Sequence, residues 1–378
     1  MTLPPLTFTG AQVLRAGGLS PDPLGMAGGL IADGPGREID LSGLLILPGI
    51  VDPHGDGFER HLAPRRGAAT DLGQGLRAVE AELAANGITT AVLAQFWSWE
   101  GGMRSPDFAA ALCAALDTHD ARADLRLQLR LELGCYEAFD AALDLIERHR
   151  IRYVVFNDHL PHEQLAAGKR VPRLEGQALK SGRSPAAHLA LLTCLHEQIA
   201  VARARLPGLC VALSARGVLL GSHDDDTTEA RATWRELGAT IAEFPVTGAA
   251  ANAAREGNDP IVMGAPNVMR GGSHSKGVSA RDLLGAGGAV ALASDYHYPA
   301  PLGAVRRLIS EGWALPEAWA LVSSAGARLL GLSDRGVLEV GKRADLVIVD
   351  PGLRQVQVTI AGGQITYLAG PVAARFLA

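Results

Sequence analysis

From Leu44 to Asp295 the chain alternates short apolar runs with longer stretches whose apolar residues recur every three or four positions. The runs are LLILPGIVD, GITTAVLAQF, LRLQLRLEL, IRYVVFND, GVLLGS, ATIAEFPV, PIVMGAP and AVALASD. Apolar runs of this length read as strands buried on both faces, and the segments between them read as helices covering a parallel sheet. Eight strand–helix units predict an α/β fold, a (β/α)8 TIM-type barrel over residues 48–334. One helical stretch, SPAAHLALLTCLHEQIAVARARLP, opens with Ser184 as N-cap and Pro185 in the first turn. Residues 1–47 and 335–378 carry short strand patterns broken by Gly and Pro, which predicts a small β-sandwich domain formed by both chain termini.

Composition narrows this picture in three ways. With 378 residues, 48% hydrophobic and 20% charged, the chain can bury one large core. A formal net charge of -5 gives no general basic character, so no nucleic-acid partner is expected. Cys113, Cys135, Cys194 and Cys210 form no C-x-x-C pair, against both a disulfide framework and a cysteine zinc site. No apolar stretch approaches the roughly 20 residues that span a bilayer, and the start of the chain lacks a signal-peptide pattern. The expectation is a cytoplasmic enzyme with no membrane partner, and association into a homo-oligomer is left open.

In such a barrel the chemistry belongs at the carboxyl ends of the strands. The first run ends in Asp52-Pro53-His54-Gly55-Asp56, where the two-residue spacing of His54 and Asp56 puts both side chains on one face. The third ends in Glu132, the fourth leads to His159, the fifth to His223, and the last to Asp295. Three imidazoles and three carboxylates suit one or two divalent ions, zinc first among them, which make water acidic enough to attack at neutral pH. Each residue also has a plainer reading. His54 and Asp56 fit a turn, Glu132 fits the solvated face of an alternating strand, and His159 fits a loop. Asp225 and Asp226 read as caps of the helix that follows. Asp295 stands where a barrel places a general base. His119, His149, His188 and His196 fall on helices and read as structural. A cationic set, Arg60, His61 and Arg65, follows the first strand. A second, Gly-rich stretch holds Gly271, Gly272, Ser273, His274 and Lys276, and either it cradles phosphate oxygens or it is a surface loop.

At LLILPGIVDPHGD and GKRADLVIVD the sequence resembles the amidohydrolase superfamily. Within it, PGIVDPHGDGFERHLAPRRG, FNDHLP, GSHDDDT, EFPVT, GAPNVMRGGSHS and LASDYHYPA resemble the PhnM family of phosphonate catabolism, the α-D-ribose 1-methylphosphonate 5-triphosphate diphosphatases. The resemblance implies that His54 and Asp56 occupy an H-x-H position and that Glu132 is a bridging carboxylate where many relatives carry a carbamoylated lysine. It implies that His159 and His223 are metal ligands and that Asp295 binds metal and takes a proton. The implied substrate is a phosphorylated small molecule, cleaved within its triphosphate to release diphosphate. The chain departs from the family's usual H-T-D-N at His54-Gly55-Asp56-Gly57, and from S-D-Y-Y-P at Ser294-Asp295-Tyr296-His297-Tyr298-Pro299. Two rival readings are a C–N hydrolase of the same fold (cyclic amidase, deaminase or deacetylase) and a barrel without catalytic function.

Overall fold

A computed structural model describes residues 3–64, 71–271, 280–285 and 290–377. Each of the eight expected runs contributes a barrel strand: β1 (Ile50–Gly55), β2 (Ile88–Trp97), β3 (Asp124–Glu132), β4 (Tyr153–Asn157), β5 (Leu219–His223), β6 (Ile241–Glu243), β7 (Ile261–Gly264) and β8 (Val290–Ala293). They lie in chain order in one eight-stranded sheet, and a parallel bridge between Gly55 and Asp295 joins the last strand to the first. The fold is a (β/α)8 barrel with added β-sheets from both chain ends.

The first expected run divides. Leu45–Pro48 is a separate strand that pairs antiparallel with Leu346–Val349, while β1 starts two residues later and opens the barrel. A single apolar run cannot reveal this division, because both halves are buried.

The chain forms two compact units. The first comprises residues 1–93, 119–126 and 260–378. It holds a four-stranded and a six-stranded terminal sheet, together with β1, the start of β2, β7 and β8. Period-two patterning builds the core of the terminal sheets. Leu6 and Phe8 point inward, as do Leu24 and Met26 and also Leu346 and Ile348, and Phe376 packs on Phe8 with ring centroids 6.2 Å apart. The second unit comprises residues 94–118 and 127–259, with the ends of β2 and β3 and all of β4, β5 and β6. Its long helical stretch is two helices, Pro185–Glu197 and Ile199–Ser214, and the Ser184 hydroxyl caps the first by accepting from the Ala187 amide at 3.2 Å. Among the described residues no helix is long and apolar enough to cross a membrane.

Trp319 is fully buried in the first unit and donates its indole N–H to the Pro48 carbonyl at 3.0 Å. Trp319→Ala removes a large side chain from a packed site and leaves that carbonyl unmatched. It should lower stability by about 3–5 kcal/mol, read from the denaturant midpoint at unchanged slope.

Candidate metal centre

In the first unit, His54 is buried at the end of β1. Two residues earlier, the fully buried Asp52 carboxylate accepts from the Ser294 amide at 2.8 Å and the Ser294 hydroxyl at 2.5 Å. Burial pushes the Asp52 carboxyl up to about 6, against the Ser294 hydrogen bonds, which favour the charged form. The backbone then brings Asp56 and Asp295 together: the Asp295 amide donates to the His54 carbonyl at 3.1 Å, and the Asp56 amide donates to the Asp295 carbonyl at 3.0 Å. Asp295 holds a left-handed φ of 56°, a conformation that costs energy for a residue with a Cβ and is found at functional sites. A Cβ on Gly55 would sit 2.8 Å from the Ser294 hydroxyl and 3.1 Å from the Tyr298 ring. One on Gly57 would sit 3.3 Å from that ring. The buried Tyr298 therefore occupies room that side chains at 55 and 57 would need.

The cationic groups after β1 are partly matched within the protein. Arg60 pairs with Glu82 and donates to the Tyr296 carbonyl at 2.9 Å, and His61 bonds the other Glu82 oxygen at 2.5 Å. Gly271 is the left-handed C-cap of the helix Ala265–Arg270, with φ 76°, where a glycine carries no Cβ penalty. Arg65, Gly272, Ser273, His274 and Lys276 lie outside the described residues.

The second unit gathers the other candidates. Glu132 is fully buried, so the polar face of β3 is an interior face. The His159 amide donates to one Glu132 oxygen at 3.1 Å, and His159 Nδ1 bonds the other. Asp224, which follows β5 with a left-handed φ of 62°, lies 3.0 Å from His223 Nδ1 and 3.8 Å from His159 Nε2. Burial by itself would pull the His159 imidazole down, but the Asp224 and Glu132 carboxylates outweigh it and push it up to about 10. Burial and the Arg130 cation pull His223 down. Burial would raise Asp224, but His223 and His159 hold its carboxyl well below the ordinary range; burial also opposes ionisation of Glu132, whose carboxyl His159 lowers. In effect a proton on His159 answers two carboxylates in the position a metal cation would take.

The donor atoms fit such a cation. His159, His223 and Asp224 place one ligand atom each within 4.8 Å of one another, as do Glu100, Glu132 and His159. Mixed imidazole and carboxylate donors suit zinc and similar divalent ions. Two of these residues, Asp224 and Glu100, were not expected from sequence. Asp224 was hidden in an acidic run read as a helix start. Glu100 lies beyond the aromatic end of β2, with no polar residue at the strand end to mark it, and its two oxygens already accept from Arg104 at 2.9 and 3.0 Å. Glu243, fully buried at the end of β6, accepts from Gln128 at 2.6 Å and from the Tyr153 hydroxyl at 2.7 Å. A cavity of about 610 Å³ in this unit is lined by Phe156, His159, Arg203, His223, Asp224 and Trp234, among others. Trp234 stacks on Phe156 at 5.3 Å.

Asp225 and Asp226 do not cap the next helix. Thr227 does, accepting from the Ala230 amide at 3.0 Å, because a β-region residue directly before the helix presents its oxygen to the free amides. Asp225 instead accepts from the Ser222 hydroxyl at 2.6 Å and pairs with the fully buried Arg231 at 3.1 Å, which also reaches Asp259 at 3.2 Å. His119, His149 and His196 are held by Glu80, Asp117 and His162, and His188 is buried.

Residues 68–372 match the family model described as amidohydrolase family. The chain belongs to the amidohydrolase family. It is 34% identical over 327 residues to the α-D-ribose 1-methylphosphonate 5-triphosphate diphosphatase of Escherichia coli K12, covering 82% of this chain and 85% of that protein. It is 25% identical to the imidazolonepropionase of Deinococcus radiodurans, covering 88% and 84%. Among solved structures, N-acetylglucosamine-6-phosphate deacetylase from Pasteurella multocida shares the fold, with a TM-score of 0.63 and 14% identity over 96% of this chain and 99% of that one. As an amidohydrolase, this chain is a metal-dependent hydrolase that is similar to PhnM.

Arg231 anchors the turn that carries His223 and Asp224, through Ser222 and Asp225. Arg231→Met would leave Asp225 as a buried carboxylate without its cation, while Asp259 keeps Arg235. A loss of about 3–5 kcal/mol is expected, measured by chemical denaturation, with metal affinity falling alongside.

Proposed function

We propose that this chain cleaves the triphosphate of a ribose 1-phosphonate, releasing diphosphate and leaving the sugar 5-phosphate. The carrying observation is the similarity to the E. coli diphosphatase along most of both chains. In this reading His54, Asp56 and Asp295 are ligand candidates of the first unit, and Glu132 and His159 are ligand candidates of the second, for divalent ions, zinc in the first instance. His223 is the sixth candidate, and its donor nitrogen has a competing partner. The bound cation supplies Lewis acidity, lowering the pKa of water and offsetting charge on phosphoryl oxygens.

The chain's own residues perform the remaining steps. Asp295 accepts the proton of the attacking water; the new P–O bond forms as the anhydride P–O bond breaks, and diphosphate leaves with the electron pair. The cations Arg60, Arg65 and Lys276, with His61, His274, Ser273 and the amides of Gly271 and Gly272, bind the phosphate oxygens. Engaging Arg60 requires it to exchange part of its Glu82 pairing for phosphate. The acidic patch around Asp224 disfavours direct contact with phosphate unless a cation intervenes, which agrees with metal dependence.

A second reading, hydrolysis of a C–N bond in a cyclic amide, is favoured by the similarity to an imidazolonepropionase. Metal-loaded enzyme incubated with α-D-ribose 1-methylphosphonate 5-triphosphate should produce a diphosphate signal in ³¹P NMR. No phosphorus change there, together with turnover of imidazolonepropionate, would replace the first reading with the second. Asp295→Asn should retain its metal and lose about 10²- to 10⁴-fold in kcat, the range for a positioned acid–base group. Lys276→Met should raise KM for the triphosphate with kcat little changed.

A further inference from the structure

Arg130 lies on β3 two residues before Glu132, so its side chain shares that residue's face of the strand. It is 5% exposed. Its guanidinium lies 3.9 Å over the Phe96 ring, and Nη2 is 2.9 Å from His223 Nε2 and 3.5 Å from Asn157 Oδ1. A guanidinium only donates, and it stays charged in a protein. The His223 nitrogen facing it must therefore accept. A neutral imidazole has one ring lone pair, so Nδ1 carries the proton, with Asp224 Oδ2 3.0 Å away. The lone pair with which His223 would ligate a metal is already engaged.

Charge points the same way. Glu132, Asp224 and Glu243, the last buried beside His223, bring three carboxylates to this donor set, while Glu100 is matched by Arg104. Arg130 brings one positive charge that neither titrates nor leaves, seated on the Phe96 ring. One divalent ion together with Arg130 already balances those three carboxylates, and a second ion beside the guanidinium would be repelled by it.

We propose that Arg130 stands in for a divalent cation in the second unit, holding His223 out of coordination so that this donor set loads a single ion. The inference rests on the reading of these residues as metal ligands and not on the identity of the substrate. It is tested by counting zinc per chain, by elemental analysis after reconstitution and desalting, in wild type, His223→Ala, Arg130→Gln and Arg130→Gln/His223→Ala. His223→Ala should keep the wild-type zinc content. Arg130→Gln should gain about one ion per chain, because His223 Nε2 is released and the fixed charge is gone, and the double variant should return to the wild-type value. Should Arg130→Gln fail to fold, His223→Ala still decides: loss of zinc in that variant overturns the proposal. Equal zinc in wild type and a folded Arg130→Gln overturns it as well. Wild type and all variants free of zinc, manganese and iron would instead remove the metal reading on which it rests.

Discussion

The buried carboxylate of Asp52 is the contact on which the first unit's site depends. It takes both the amide and the hydroxyl of Ser294, so the last barrel strand is fixed to the first at the point where each turns polar. A carboxylate excluded from water is costly unless it is hydrogen-bonded, so the pairing is specific as well as strong. The neighbouring backbone bonds between residues 54–56 and 295 then follow, and they set His54, Asp56 and Asp295 in one register.

In the second unit the same constraint appears as a chain of charge compensation. Glu132 is buried because His159 answers it, and Asp224 tolerates its left-handed backbone between two histidines. Arg231 and Arg235 together neutralise Asp225 and Asp259. Remove His159 from Glu132, or Arg231 from Asp225, and a buried carboxylate loses its cationic partner, so residues that position the ligands also stabilise the strand ends. Three such ends, at Asp224, Phe244 and Asp295, turn through positive φ. These three follow β5, β6 and β8, where the candidate chemistry sits, while Arg150, Arg173, Asn258 and Leu353 take positive φ elsewhere.

The sequence by itself determined the barrel. Buried strands must be apolar on both faces and covering helices must be apolar on one, so periodicity alone marked the eight strands and the terminal β-segments. It also determined that histidines and carboxylates follow the strands, since spacing and strand position are local properties. It could not decide matters of partnership. LRLQLRLEL alternates as a solvated strand would, and only the fold shows that Gln128, Arg130 and Glu132 face inward. An aspartate before a helix looks like a cap, yet Asp225 turns to an arginine that lies on the helix itself, and Thr227 takes the cap. Arg60 reads as a free cation until Glu82, 22 residues on, is seen to hold it. The engagement of His223 by Arg130 spans 93 positions. Long-range electrostatic pairing depends on which side chains the backbone brings within a few ångströms, and no local pattern encodes that distance.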